Sequence, residues 1–305
     1  MGKPKALKPG DTIGLVSPAS PLTREKAATG IRLLEEQGYQ VKEYPSTYAA
    51  TGYLAGSDEA RAKDLTDAFL DPETQAVYCA RGGYGCARLL PYLDFDQLAA
   101  TEKLFIGFSD ITVLHAGLNR RGLPTVHGPM AITVGYERQP WVYESLFRTL
   151  RGDDPIPPEA FTGKCLNPGT AEGEVVGGCL ILICDLIGTP EQIDVTDKII
   201  LLEDVDEAPH RVDAMLTHLL NSGSIQKAAG IVIGEMTRTD ERVDKGIGEM
   251  PWREIVADRL SGLDMPIIID FPCGHAPQML SLPFGIRAEM DAARGTMNYI
   301  ESLCK

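Results

Sequence analysis

Apolar and polar positions along the first part of the chain predict short buried strands separated by amphipathic helices. Thr12–Val16 is an apolar run ended by Ser17-Pro18 and reads as a first strand. Arg24–Gln37 carries apolar residues at helical spacing and is closed by Gly38. Val41–Tyr44 predicts a second strand, and Ser57-Asp58-Glu59 opens a helix that reaches Leu70. Ala76–Ala80 predicts a third strand, followed by Arg81-Gly82-Gly83-Tyr84-Gly85 and a helix from Cys86 to Leu93. Leu104–Phe108 predicts a fourth, followed by Ser109-Asp110 and a helix with Ile111, Leu114 and Leu118 on one face. Strand and helix in regular alternation predict an α/β fold, a parallel sheet wrapped by helices.

The rhythm weakens between residues 150 and 170, where RGDDPIPPEAF is acidic and rich in proline. Beyond it, Gly173–Val176 predicts a strand, and GGCLILICDLIGTP a glycine turn with a buried helix. Ile199–Leu202 predicts a strand and Arg211–Asn221 a helix; Gly230–Gly234 and Pro266–Asp270 are apolar runs bounded by turn signals. The expectation is a first domain over 1–150, a linker over 151–170 and a strand-rich α+β domain over 171–305, without internal repeats.

Composition narrows the function. A chain of 305 residues with 44% hydrophobic and 24% charged content suits about two soluble globular domains. A formal charge of −14 argues against nucleic acid or an anionic membrane as partner, since both require a basic face. Seven irregularly spaced cysteines do not form a disulfide framework, and no CxxC or HExxH motif marks a metal site. The N-terminal MGKPKALKPGDTIGLVSPAS lacks the apolar core of a secretory signal, and no run approaches the ~20 apolar residues of a membrane span. Cytoplasm is the expected compartment, with neither metal nor cofactor.

In open parallel sheets ligands bind beyond the carboxyl ends of the strands. The polar residues at those ends are Arg81–Gly85, Ser109-Asp110, Glu203-Asp204 and the segment around His275. A serine, an acid and a histidine are the parts that acyl transfer needs: a nucleophile, a group holding the imidazole, and a base. A glycine loop beside a helix start supplies backbone N–H groups for an oxyanion. The order Ser, Glu, His is a known order for such triads. Each part also has a plain reading. Ser109 or Asp110 can be a helix N-cap, RGGYG a simple turn, and Glu203, Asp204, Asp206 and Glu207 a solvated acidic loop. His115 and His218 fall on predicted helices and His127 and His210 in loops, so four histidines compete with His275. Cys273 beside His275 permits a cysteine nucleophile. Spacing alone leaves these readings open.

RGGYG with GFSDIT, LLEDVDEAPHRVDAML and GHAPQMLSLPFG, in that order, resemble the serine LD-carboxypeptidases, also called muramoyltetrapeptide carboxypeptidases. The likeness runs from GDTIGLVSPAS through LPFG and beyond. It implies an N-terminal flavodoxin-like or amidotransferase-like domain and a C-terminal swivelling β/α domain. The family nucleophile falls on Ser109, the glutamate on Glu203 and the histidine on His275, with backbone N–H groups of Asp110 and Gly83 as oxyanion hole. It also implies a homodimer acting in the cytoplasm on a small muropeptide, a murein tetrapeptide ending in D-Ala, without metal. Because that substrate is anionic, an arginine must meet its carboxylates. Arg81, Arg88, Arg211 and Arg287 flank the motifs, with Arg81 first because it stands at a strand end. The rival within the resemblance is a microcin C immunity peptidase, which needs a place for a nucleobase. A non-catalytic small-ligand module is a rival of another class.

Overall fold

The computed structural model describes residues 2–305. The chain forms two units. The first unit contains residues up to Pro158 together with Leu280–Gly285 and Ser302–Lys305, and the second contains Glu159–Met279 and Ile286–Glu301.

The first unit runs β1 (Thr12–Val16), α1 (Arg24–Glu36), β2 (Gln40–Glu43), α2 (Asp58–Leu70), β3 (Ala76–Cys79), α3 (Phe95–Ala99), β4 (Leu104–Gly107), α4 (Thr112–Arg120), β5 (Thr125–His127), α5 (Ala131–Val134) and α6 (Pro140–Leu150). Ser57 starts α2 by accepting the Ala60 N–H at 3.2 Å, as a cap residue should. Every residue of β3 and β4 is buried, which explains their continuous apolar runs. The second unit follows with β6 (Lys164–Asn167), β7 (Thr170–Cys179), α7 (Leu180–Leu186), β8 (Ile199–Val205), α8 (Pro209–Asn221), β9 (Gly230–Thr237), α9 (Trp252–Leu260) and β10 (Ile267–Ile269). The chain then returns to the first unit as β11 (Leu282–Phe284) and closes the second with β12 (Arg287–Asp291) and β13 (Thr296–Tyr299).

In the first sheet the strands lie in the order β2-β1-β3-β4-β5, all parallel, with β11 added antiparallel at the edge. That is the flavodoxin-like order, and its switch point falls between β1 and β3. The ligand end there comprises the residues after β1, the glycine loop after β3 and the turn after β4. The second sheet has a parallel centre, β7-β8-β9-β10, with β12, β13 and β6 antiparallel at its flanks. Its core joins Ile200, Leu202, Ile231 and Ile233 to Leu216, Trp252 and Val256 from the helices.

The structure departs from the sequence reading in several places. The stretch expected as a linker, 151–170, contains β6 and the first residue of β7. The C-terminal region does not stay in one unit, because β11 buries Leu282 and Phe284 against β5. Gly177 and Gly178 lie inside β7, not in a turn. Gly177 sits at φ 134°, where a side chain would collide with the Leu201 carbonyl of the neighbouring strand. The helix expected from Cys86 forms over Cys86–Tyr92 and is of the 3-10 kind: Pro91 lies inside it, and its entry residue Gly85 has φ 128°. His127 lies in β5 and His210 in α8, so neither is a loop histidine.

Candidate active site

In the first unit the chain leaves β4 through extended Phe108 and turns sharply at Ser109, whose φ is 65°. A serine in the left-handed region is strained by roughly 1–2 kcal/mol. The turn is held by its own continuation: the Ser109 carbonyl accepts the Thr112 N–H and the Thr112 hydroxyl, the latter at 2.7 Å. A sharp strand-to-helix turn with a strained residue at its apex is the kind of turn on which a nucleophile can be presented.

The glycine loop after β3 lies against this turn. A Cβ on Gly82 would stand 3.0 Å from Ser109 Cβ and 3.2 Å from Ser109 Oγ, so absence of a side chain permits the approach. Gly83 has φ 115°, and a side chain there would collide with the Ser20 hydroxyl. Ser20 grips the loop twice: its N–H donates to the Gly82 carbonyl at 3.3 Å, and its Oγ accepts the Tyr84 N–H at 3.1 Å. Arg61, fully buried on α2, donates to the carbonyls of Pro18 and of Gly85, the latter at 3.0 Å. Asp110, also buried, accepts the Cys86 N–H at 2.8 Å.

In the second unit Glu203 lies within β8 rather than beyond it, and is fully buried. The β8–β9 register shifts between Leu202 and Asp204, a bulge at Glu203. Bulges beside sites re-aim a side chain. Here Glu203 Oε2 meets His275 Nδ1 at 2.7 Å. His275 is in the loop after β10, its side chain 16% exposed. Gly274 brings that loop in: at φ 93°, a Cβ would lie 2.5 Å from Glu203 Oε2. Burial pulls the His275 pKa down, but the charge and hydrogen bond of Glu203, with Asp204 and Asp206, outweigh it, and the net shift is upward. Asp204 serves elsewhere. It accepts the N–H groups of Ile181 and Val205, both at 2.8 Å, and burial with the Glu203 charge raises its pKa to about 6.

Cys273 is a poor nucleophile. It is fully buried, and burial with the Glu203 charge holds its thiol well above the ordinary range. The four arginines named from sequence are all engaged. Arg81 donates to the carbonyls of Pro21 at 3.0 Å and Gly82 at 3.3 Å, bracing the loop. Arg88 forks onto Asp58, Arg287 pairs with Glu172, and Arg211 lies 3.6 Å from Glu207. Among the described residues no cluster of three or more His, Cys, Asp or Glu could hold a metal ion. Sequence reasoning passed over Ser20 and Arg61. Arg61 left a signal, a cation on the stripe of α2 that buries Leu65, Ala68 and Phe69.

Two family models match the chain: the LD-carboxypeptidase N-terminal domain over residues 13–128 and the LD-carboxypeptidase C-terminal domain over 172–290. The chain belongs to the LD-carboxypeptidase family. It is a serine-type carboxypeptidase. The Bacillus subtilis protein named "Probable murein peptide carboxypeptidase" is 36% identical over 96% of this chain and 93% of its own length. The murein tetrapeptide carboxypeptidase of Pseudomonas aeruginosa is 33% identical, over 92% and 94% respectively. The microcin C7 self-immunity protein MccF of Escherichia coli is 26% identical, over 92% and 91%. Among solved structures, muramoyltetrapeptide carboxypeptidase from Oxalobacter formigenes superposes with a TM-score of 0.84, at 26% identity, covering 94% of this chain and 97% of that one.

Proposed function

We propose that this LD-carboxypeptidase removes the terminal D-Ala from a murein tetrapeptide in cytoplasmic peptidoglycan recycling, with Ser109, His275 and Glu203 acting as one triad in a homodimeric enzyme. The observation that carries the reading is the buried Glu203–His275 pair at 2.7 Å, matched by a serine held in a left-handed turn. His275, with Nδ1 turned to Glu203, uses Nε2 to take the Ser109 proton as Oγ attacks the carbonyl before D-Ala. The negative oxygen is met by the N–H groups of Gly83 and Asp110. His275 then protonates the leaving amine, D-Ala departs, and water hydrolyses the acyl-enzyme by the same base. Arg81, held by the carbonyls of Gly82 in the loop and Pro21 outside it, offers its remaining donors to a substrate carboxylate.

The test is D-Ala release from L-Ala-γ-D-Glu-meso-diaminopimelyl-D-Ala by purified protein, with Ser109→Ala beside it. Release by the first alone supports the reading. Release by both would overturn Ser109 as nucleophile. Release by neither, with turnover of an aminoacyl-nucleotide peptide conjugate, would favour the second reading, which the 26% identity to the microcin immunity protein motivates.

A further inference from the structure

We infer that the Asp110 carboxylate is a positioning residue that locks the glycine loop to the nucleophile's turn and so holds the two oxyanion donors in register. The inference rests on the reading of Ser109 as nucleophile and goes beyond it to a side chain with no part in the triad.

The 3-10 helix Cys86–Tyr92 begins directly after the loop, and the residue in its cap position is Gly85. Glycine has no side chain with which to satisfy the first N–H groups of a helix. Asp110 supplies that bond from 24 residues away, its Oδ2 standing 2.8 Å from the Cys86 nitrogen, in a buried setting. Asp110 is 2% exposed. Burying a carboxylate is costly unless it is well bonded, and burial pushes its pKa up while the Cys86 N–H and thiol draw it down. A local cap is barred at position 85, where φ is 128° and a Cβ would stand 2.6 Å from Leu54 Cδ2, so only glycine fits. The remote carboxylate does something a local cap cannot: it ties the end of the loop to the residue next to Ser109.

The other grips on the loop come from elsewhere. Ser20 reaches it from the segment after β1, and Arg61 from α2. Neither comes from the nucleophile's turn. Asp110 does: its backbone N–H is one proposed donor, and its side chain holds Cys86, three residues after Gly83, the other. The two donors are thereby bridged by one side chain. A misplacement on the order of 1 Å at such a site is enough to lower turnover about 100-fold.

The experiment compares wild type, Asp110→Ala and Asp110→Asn by steady-state kinetics and by the rate at which a fluorophosphonate labels Ser109, read as a mass increase. Labelling needs the serine and the oxyanion donors but not the muropeptide. The alanine variant is expected to lose about 10- to 100-fold in kcat and in labelling rate with KM within about twofold. Asparagine keeps an acceptor oxygen and is expected to return both rates to within about threefold of wild type. A folded alanine variant with wild-type labelling would overturn the inference. So would a folded asparagine variant slowed tenfold or more, which also decides the matter if alanine does not fold. No labelling of the wild type would overturn the nucleophile assignment, and this inference with it.

Discussion

Replacing Ser109 by glycine or by alanine should abolish activity in both cases, with the glycine variant the more stable of the two. Ser109 sits at φ 65°, where a residue with a Cβ is strained by about 1–2 kcal/mol. Alanine keeps that strain and glycine removes it. Against this, glycine gives the unfolded chain more freedom, which costs about 0.5–1 kcal/mol relative to alanine. The difference leaves Ser109→Gly more stable than Ser109→Ala by up to about 1.5 kcal/mol, and at worst equal to it. At an ordinary helical position the same exchange runs the other way by roughly 1 kcal/mol, so the sign is diagnostic. The assay is urea unfolding followed by circular dichroism, with the two midpoints compared at equal slope. In a thermal scan the gain corresponds to roughly 2–4 °C per kcal/mol for a unit of this size. A glycine variant about 1 kcal/mol less stable than the alanine variant would refute the claim that this turn stores strain.

Other outcomes follow from the same geometry. His275 must be neutral to accept a proton, and its pKa lies above the ordinary 6.5, so kcat/KM should fall as pH drops through a value above 6.5; Glu203→Gln should move that limb to lower pH while slowing turnover. For stability the sign is the reverse: the protonated His275–Glu203 pair contributes fully below pH 6.5, and its contribution is lost as pH rises through the folded-state value, which pH-dependent unfolding of wild type and His275→Gln would reveal. Gly274→Ala adds a Cβ 2.5 Å from Glu203 Oε2 at a residue with φ 93°, and should cost about 2–4 kcal/mol of stability and displace His275, seen as lower kcat in the folded fraction. Of the seven cysteines only Cys165 is exposed, so a thiol reagent should modify one rapidly in the native protein and leave activity intact; inactivation tracking a second thiol would revive Cys273.

The first unit was legible because its central strands β3 and β4 are wholly buried and strands alternate with helices along the chain, so local pattern and final environment agree there. Signals of that kind are absent where structure is made by distant pairing. β11 and β12 are short antiparallel strands whose partners, β5 and β7, lie more than a hundred residues away, and nothing within their own windows announces those partners. The Glu203 bulge is likewise invisible in IILLEDV, which reads as an apolar strand followed by an acidic loop. The acid enters the strand because space has been cleared for it by glycines: Gly234 and Gly274 both face it, and a Cβ on Gly234 would stand 3.2 Å from Glu203 Cβ. The same logic operates in the other unit, where Gly82 leaves room for Ser109. The candidate residues could be named from the motifs GFSD, LLED and GHAPQ and the resemblance they carry, not from spacing alone. Their exact seating could not, because it depends on glycines whose role is to be absent, and that role appears only once the neighbouring backbone is in place.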